Sequence, residues 1–241
     1  MIVDQAPLYQ RIARSLEARI GSGALKAGDR LPSERQIAEE LGASRMTARQ
    51  ALKSLERRGL VETRVGRGCF VAQPRIEKQL RTLSGFTEEM RRAGRFVSSV
   101  VLDAGLGAAD PEVASALAIA ENEPVHRLVR VRLVDAEPVA VERTEVPVVL
   151  APGLLERADF SMDSLYRVLR EDYGHMPTEA EETVFADTPD AVTSAALDIE
   201  PGTPILRFTR CTFGRDGRPL EYVRSSYRGD CFTMRVRLRL T

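Results

Sequence analysis

No stretch of this 241-residue sequence approaches the roughly eighteen uninterrupted apolar residues that mark a membrane-spanning helix. Its opening, MIVDQAPLYQRIARS, lacks the basic-then-apolar layout of a secretory signal, which places the chain in the cytoplasm and away from membranes. Cysteine is scarce: Cys69, Cys211 and Cys231 are scattered, without CxxC or Cys/His ligand spacing. That excludes a disulfide framework and a zinc site, and no metal or cofactor is expected. Only two histidines occur, His126 and His175, and neither has a Ser, Cys or Asp neighbour arranged for nucleophilic catalysis. HExxH, GxSxG and Walker motifs are also missing, so no catalytic residue is expected. Net charge is missing too, with 35 Lys+Arg against 35 Asp+Glu.

That zero conceals an asymmetry. Residues 1–73 hold 13 Lys+Arg against 8 Asp+Glu, and the other 168 residues hold 22 against 27. Such a bias is ordinary surface composition unless the basic residues fall on a recognisable element. They do. Leu8, Ile12, Leu16 and Ile20 are spaced four apart, which predicts one apolar helix stripe ending at Gly21–Gly23. Ser33 with Gln36 three residues on is a capping box, and Gly42 is a stop, giving a short helix over roughly 34–41. Ser44 then caps a third helix whose Ala48, Ala51, Leu52 and Leu55 follow the i, i+3, i+4, i+7 pattern.

On that third helix Arg45, Arg49 and Lys53 share a flank, with Thr47 and Gln50 on the outer face. A helix about 10–12 Å across fits the DNA major groove, and an arginine fork donates two parallel hydrogen bonds to guanine O6 and N7. A solvated helix face explains one such helix equally well. Here, however, the next stretch alternates Val61, Thr63 and Val65, turns at Gly66-Arg67-Gly68 and returns through Phe70 and Val71. This reads as a hairpin with a basic tip, whose glycines let the backbone approach a phosphate or a narrow minor groove.

The stretch LPSERQIAEELGASRMTARQALKSLERRGLVETRVGRGCFV, and residues 7–72 around it, resembles the winged helix-turn-helix of the GntR family of bacterial transcription regulators. The resemblance implies a double-stranded operator as partner. It implies major-groove contacts from Arg35, Arg45, Thr47 and Arg49, with Ser33 and Gln50 as further candidates, and minor-groove contacts from Gly66, Arg67 and Gly68. Cys69 departs from the threonine common after the glycine pair in that family.

The reading divides the chain into a DNA-binding domain over 1–73, a linker over 74–80 and a second domain over 81–241. Strand patterns near 97–106, 125–134, 139–146, 179–186, 204–213, 219–228 and 232–240 alternate with helices. Ser84 is expected to cap a helix over 84–93. Others are expected at 152–157 and 162–173, and two more opened by the pairs Asp110-Pro111 and Thr188-Pro189, each a cap followed by proline at the first helical position. Runs of hairpin-joined strands with inserted helices indicate an α+β domain on a mostly antiparallel sheet. Within VHRLVRVRLVD, alternation puts Leu128, Arg130, Arg132 and Val134 on one face, so two arginines lie side by side. Three readings fit the pair: a solvent-facing strand, a bound anion, or an acidic partner such as Glu142 on the next strand.

Residues 80–241 resemble the effector-binding (UTRA) domain of the HutC-type subfamily, which shares its fold with chorismate lyase. The resemblance is carried by LSGFTEEMRRAG, RVRLVDAEPVAVERTEVP, SLYRVL and PLEYVRSSYRGDCF. It implies that Phe86, Thr87, Arg130, Arg132, Ser164 and Tyr166 surround a phosphate, while Glu142, Glu221 and Tyr227 hold the rest of the ligand. The expectation is a repressor that binds a pseudo-palindromic operator as a homodimer and answers to a small anionic metabolite such as a phosphorylated sugar or amino sugar. Alternatives are the same DNA-binding role with urocanate or another non-phosphorylated effector, or with no effector, and a lyase-like enzyme, which the fold alone does not establish.

Overall fold

The computed structural model describes residues 6–64, 66–72, 76–79 and 83–236. The chain forms two compact units, residues 1–75 and 76–241.

In the first unit, α1 (Leu8–Gly21) buries Ile12, Ala13 and Leu16, the inner line of its apolar stripe. In α2 (Glu34–Leu41), the Ser33 hydroxyl accepts from the Gln36 N–H, and the Gln36 side chain accepts from the Ser33 N–H. Gly42 then takes a left-handed φ of 59°, where a side chain would be strained, and ends the helix. Only Ala43 separates it from the Ser44 cap of α3 (Arg45–Arg57). Ala48, Ala51, Leu52 and Leu55 of α3 pack on Ile12, Leu16, Leu31 and Ile37. The hairpin β1 (Val61–Arg64) and β2 (Gly68–Val71) closes this core by pairing Val61 with Val71, both buried. Val65, expected to continue the alternation, lies outside the described residues.

The second unit contains β3 (Ile76–Gln79), α4 (Phe86–Arg92), β4 (Val97–Ala108), α5 (Pro111–Leu117), β5 (Pro124–Val134) and β6 (Glu137–Pro147). It continues through α6 (Leu165–Glu171), β7 (Pro177–Asp187), α7 (Ala191–Leu197), β8 (Ile205–Gly214), β9 (Pro219–Arg228) and β10 (Phe232–Arg235). Six strands form one antiparallel sheet in the order β4-β5-β6-β9-β8-β7. On one face, α4 and α6 bury Met90, Leu165, Val168 and Leu169 against the sheet. Opposite them, α5 packs Val113 and Leu117 on Val125 and Tyr222.

Five expectations need correction. Residues 76–79, assigned to the linker, form β3, which pairs in parallel with β10; Ile76 is buried beside Phe232 and Met90. Four residues are too few to show a period, and the pairing is with the far end of the chain. Residues 73–75 and 80–82, and the expected strand beyond 236, lie outside the described residues. Ser84 does not cap α4; Gly85 does, without a side-chain hydrogen bond, at a point where a Cβ would meet the Tyr166 ring at 3.2 Å. The helix expected at 152–157 shrinks to one 3-10 turn, Leu154–Glu156, after Gly153. That at 162–173 narrows to α6, capped by Ser164. Finally, Asp190 rather than Thr188 caps α7, accepting from the Thr193 N–H.

Candidate functional site

Two surfaces carry chemistry. In the first unit, Arg45 and Gln50 are exposed on α3, and Arg35 is exposed on α2 with Glu39 one turn away at 3.7 Å. The Thr47 hydroxyl lies 2.8 Å from that of Ser44, so it belongs partly to the helix cap. The Ser33 hydroxyl is engaged with Gln36 Oε1 at 2.9 Å. Arg49 is held by two bonds of 2.9 Å from Nε and Nη2 to the carboxylate oxygens of Glu34. At the hairpin tip Arg67 is exposed between Gly66 and Gly68, whose φ values of 72° and 113° suit glycine. Gly68 also fits against the Arg30 guanidinium, 3.0 Å from where a Cβ would sit.

In the second unit, the strand register builds a charged cavity. Arg130 on β5 lies opposite Glu142 on β6, which lies opposite Ser225 on β9. The next row runs Leu128, Thr144, Val223, Arg210 and Glu182 across to β7. Arg132, Tyr166, Glu221, Tyr227 and the start of α4 enclose the space above these rows. The cavity thus gathers Phe86, Thr87, Arg130, Arg132, Glu142, Ser164, Tyr166, Glu221 and Tyr227. Its free volume is about 40 Å³.

The arginine pair is buried, with Arg130 3% and Arg132 2% exposed, which removes the solvent-facing reading. Arg130 Nη2 donates to Glu142 Oε1 at 2.5 Å. Arg132 Nη2 donates to the Thr87 hydroxyl at 2.6 Å, its Nη1 is 3.8 Å from Glu142, and its guanidinium stacks 4.7 Å from the Phe86 ring centre. One carboxylate therefore faces two guanidinium groups. Burial, and then the neighbouring Arg130, bring the Arg132 pKa down to about 10, so it stays charged at neutral pH. Glu142 is pushed up by burial, but Arg130 and Arg132 hold it below the ordinary glutamate value. Even so, Arg130 Nε and Nη1, Arg132 Nε and the Thr144 hydroxyl are buried without a hydrogen-bond partner. Unmade bonds to buried polar groups cost about 1–3 kcal/mol each, more for charged ones, so this end of the cavity favours an acceptor-rich anion.

At the far end, Glu182 Oε1 accepts from Lys78 Nζ at 2.8 Å and from Arg210 Nε and Nη2 at 2.9 and 2.7 Å. Thr212 donates to Glu221 at 3.0 Å and meets the Tyr166 hydroxyl at 3.0 Å; burial raises the Glu221 pKa. Sequence reasoning missed Lys78, Thr144, Glu182, Arg210 and Ser225. For Thr144, Ser225, Arg210 and Glu182 the only signal is the register of β6, β9, β8 and β7, and for Lys78 the pairing of β3 with β10; no local pattern encodes either. The two histidines are pins: each Nε2 bonds a backbone carbonyl, Ala151 and Leu150, at 2.8 Å.

A winged helix-turn-helix with exposed arginines, joined in one chain to a sheet domain with a charged cavity, fits a DNA-binding regulator. Residues 8–71 match the bacterial regulatory proteins, gntR family, and residues 92–233 match the UTRA domain. The chain is 36% identical to the HTH-type transcriptional repressor NagR of Bacillus subtilis (strain 168), over 94% of this chain and 93% of the relative. It is 31% identical to the mannosyl-D-glycerate transport/metabolism system repressor MngR of Escherichia coli (strain K12), over 93% and 92%. The crystal structure of PhnF from Mycobacterium smegmatis superposes with a TM-score of 0.75 at 32% identity, covering 95% of this chain and 100% of that one. The chain belongs to the GntR family, in its HutC-type, UTRA-containing subfamily, and is a DNA-binding regulator of transcription rather than an enzyme.

If Arg45 reads a base, Arg45→Ala lowers operator affinity by about 1–3 kcal/mol and relaxes preference at one position, without changing the melting temperature. In vitro selection of binding sites with both proteins measures this; unchanged preferences would remove Arg45 from base reading.

Proposed function

We propose that this regulator is a cytoplasmic repressor whose cavity binds a small anionic metabolite, a phosphorylated sugar or amino sugar. The carrying observation is the set of buried, unpartnered arginine donors facing the cavity beside Thr87 and Ser164. A phosphate supplies acceptors for all of them and balances the second guanidinium that Glu142 leaves uncompensated. Glu142, Ser225, Glu221 and Tyr227 supply the hydrogen-bonding groups that a polyhydroxylated ring uses. The sugar-derived compound in the MngR relative's name supports the same class. A free volume of about 40 Å³ holds roughly three waters, so a sugar phosphate enters only as lining side chains move. That movement is the differential contact through which ligand binding and operator binding are coupled.

The active species is a homodimer on a pseudo-palindromic operator, two-fold symmetry supplying the second half-site. Support comes from β4, which exposes Val100, Leu102 and Leu106 on an edge of the sheet that no further strand covers among the described residues, a surface suited to a second copy. Arg35, Arg45, Thr47, Arg49 and Gln50 enter the major groove and the Gly66–Gly68 tip the minor groove.

A thermal-shift series with sugar phosphates, amino-sugar phosphates, urocanate and phosphonates tests the ligand class, repeated on Arg132→Ala. At a hundredfold excess over Kd a ligand adds about 2.7 kcal/mol. That is a rise of roughly 5–10 °C for a unit of this size. A phosphorylated sugar should produce it in the parent and not in the variant. An equal response in the variant, or urocanate as the sole stabiliser, would overturn the phosphate assignment.

A further inference from the structure

Arg49 is the one member of the α3 flank whose guanidinium is clamped from the side by a carboxylate, and the clamp comes from a different helix. Ser33 fixes the first turn of α2 through its capping box, which places Glu34 at the helix start. Across the Gly42–Ala43 turn, the Glu34 carboxylate takes Arg49 Nε and Nη2 in a two-bond fork, both bonds 2.9 Å. Both side chains remain partly open to solvent, Arg49 51% and Glu34 33% exposed, so the pair is not part of a core.

The chemistry of a guanidinium decides what this leaves. It has five N–H donors, one on Nε and two on each Nη. The fork with Glu34 uses the Nε edge. The end edge keeps two parallel donors, one on Nη1 and one on Nη2, which is the spacing that guanine O6 and N7 accept. An unclamped arginine loses up to about 2 kcal/mol of rotamer freedom when it docks, and it satisfies a phosphate as readily as a base. A clamped one has lost most of that freedom already and presents a fixed edge. The carboxylate also sets a negative charge beside the interface, which disfavours phosphate as the partner of that arginine. Arg45 and Lys53, close enough to Glu34 to hold its pKa down together with Arg49, keep the patch cationic.

We propose that Glu34 is a specificity-determining positioning residue, which buttresses Arg49 so that its free edge reads a guanine rather than the DNA backbone. This rests on the reading that Arg49 contacts a base. The experiment uses the full-length protein and a duplex obtained by in vitro selection with the parent. Operator and non-specific affinities are measured against salt for the parent, Glu34→Gln, Arg49→Ala and the double variant.

Arg49→Ala should lower the operator-to-non-specific ratio. Glu34→Gln should lower it by about five- to tenfold. At the same time Glu34→Gln should leave non-specific affinity equal or higher and steepen the salt dependence by about one phosphate contact, as the released guanidinium turns to the backbone. In the Arg49→Ala background, Glu34→Gln should have no further effect on the ratio. Melting temperature should be unchanged, since exposed ion pairs contribute little stability. The proposal is overturned if Glu34→Gln keeps the parent ratio, raises operator affinity with discrimination intact, or acts equally in both backgrounds. If Arg49→Ala itself leaves the ratio unchanged, the base-contact reading of Arg49 fails and this one with it.

Discussion

Replacing Glu142 with alanine should destabilise the second unit by about 3–5 kcal/mol, because it strips two buried guanidinium groups of their shared carboxylate. Arg130 would lose its 2.5 Å bond and Arg132 its nearest opposite charge, with Arg132 keeping only the Thr87 hydroxyl and the face of Phe86. For a unit of this size the loss corresponds to a fall of roughly 6–20 °C in melting temperature. Inorganic phosphate or sulfate should restore part of it, and should stabilise the variant more than the parent, since the anion then replaces the missing charge. The effect has a defined pH window. The folded-state pKa of Glu142 is depressed below 4.5 by Arg130 and Arg132 against the upward pull of burial. Its stabilisation is therefore complete above the unfolded value and is lost as pH falls through the folded one. The gap between parent and variant should be full at pH 7 and close in acid. A calorimetric scan showing no gap at pH 7 would mean that the arginines are compensated elsewhere.

The first unit was legible almost residue by residue because its signals are local. Ser33 with Gln36, Gly42 and Ser44 fix helix ends within one turn of themselves, and Ala48, Ala51, Leu52 and Leu55 declare their buried face through spacing alone. The second unit was legible in its strands and hairpins, but not in what the strands bring together. Arg130 and Glu142 were within reach of sequence reasoning because one hairpin pairs them. Arg210 and Glu182 were not, since their place beside Thr144 follows from β9 inserting between β6 and β8. β3 was taken for linker for the same reason: its partner, β10, lies some 150 residues along the chain. The cap expected at Ser84 falls one residue later, at Gly85, where the Tyr166 ring leaves little room for a Cβ.

Leu55→Ala separates folding of the DNA-binding head from ligand recognition. Leu55 is fully buried, and its carbonyl accepts from the Arg58 and Leu60 N–H groups where α3 gives way to β1. Truncating a buried leucine costs about 2–5 kcal/mol, the removed methyl groups plus the cavity they leave. A unit of 75 residues has only about 4–11 kcal/mol in total. The variant should therefore lose operator binding through partial unfolding of the head, with an earlier melting transition. The shift that a ligand gives to the second unit should persist, because that cavity is lined entirely by residues 78–227. The contrast with Arg45→Ala is the informative one. If that arginine acts at the DNA surface, its loss weakens operator binding at unchanged melting temperature, whereas Leu55→Ala weakens it because the head melts. A Leu55→Ala protein with the parent's melting curve and operator affinity would show that the head tolerates a cavity at its centre. The tight packing of α3 against α1 and α2 would then not be what holds Arg45 and Arg49 in register.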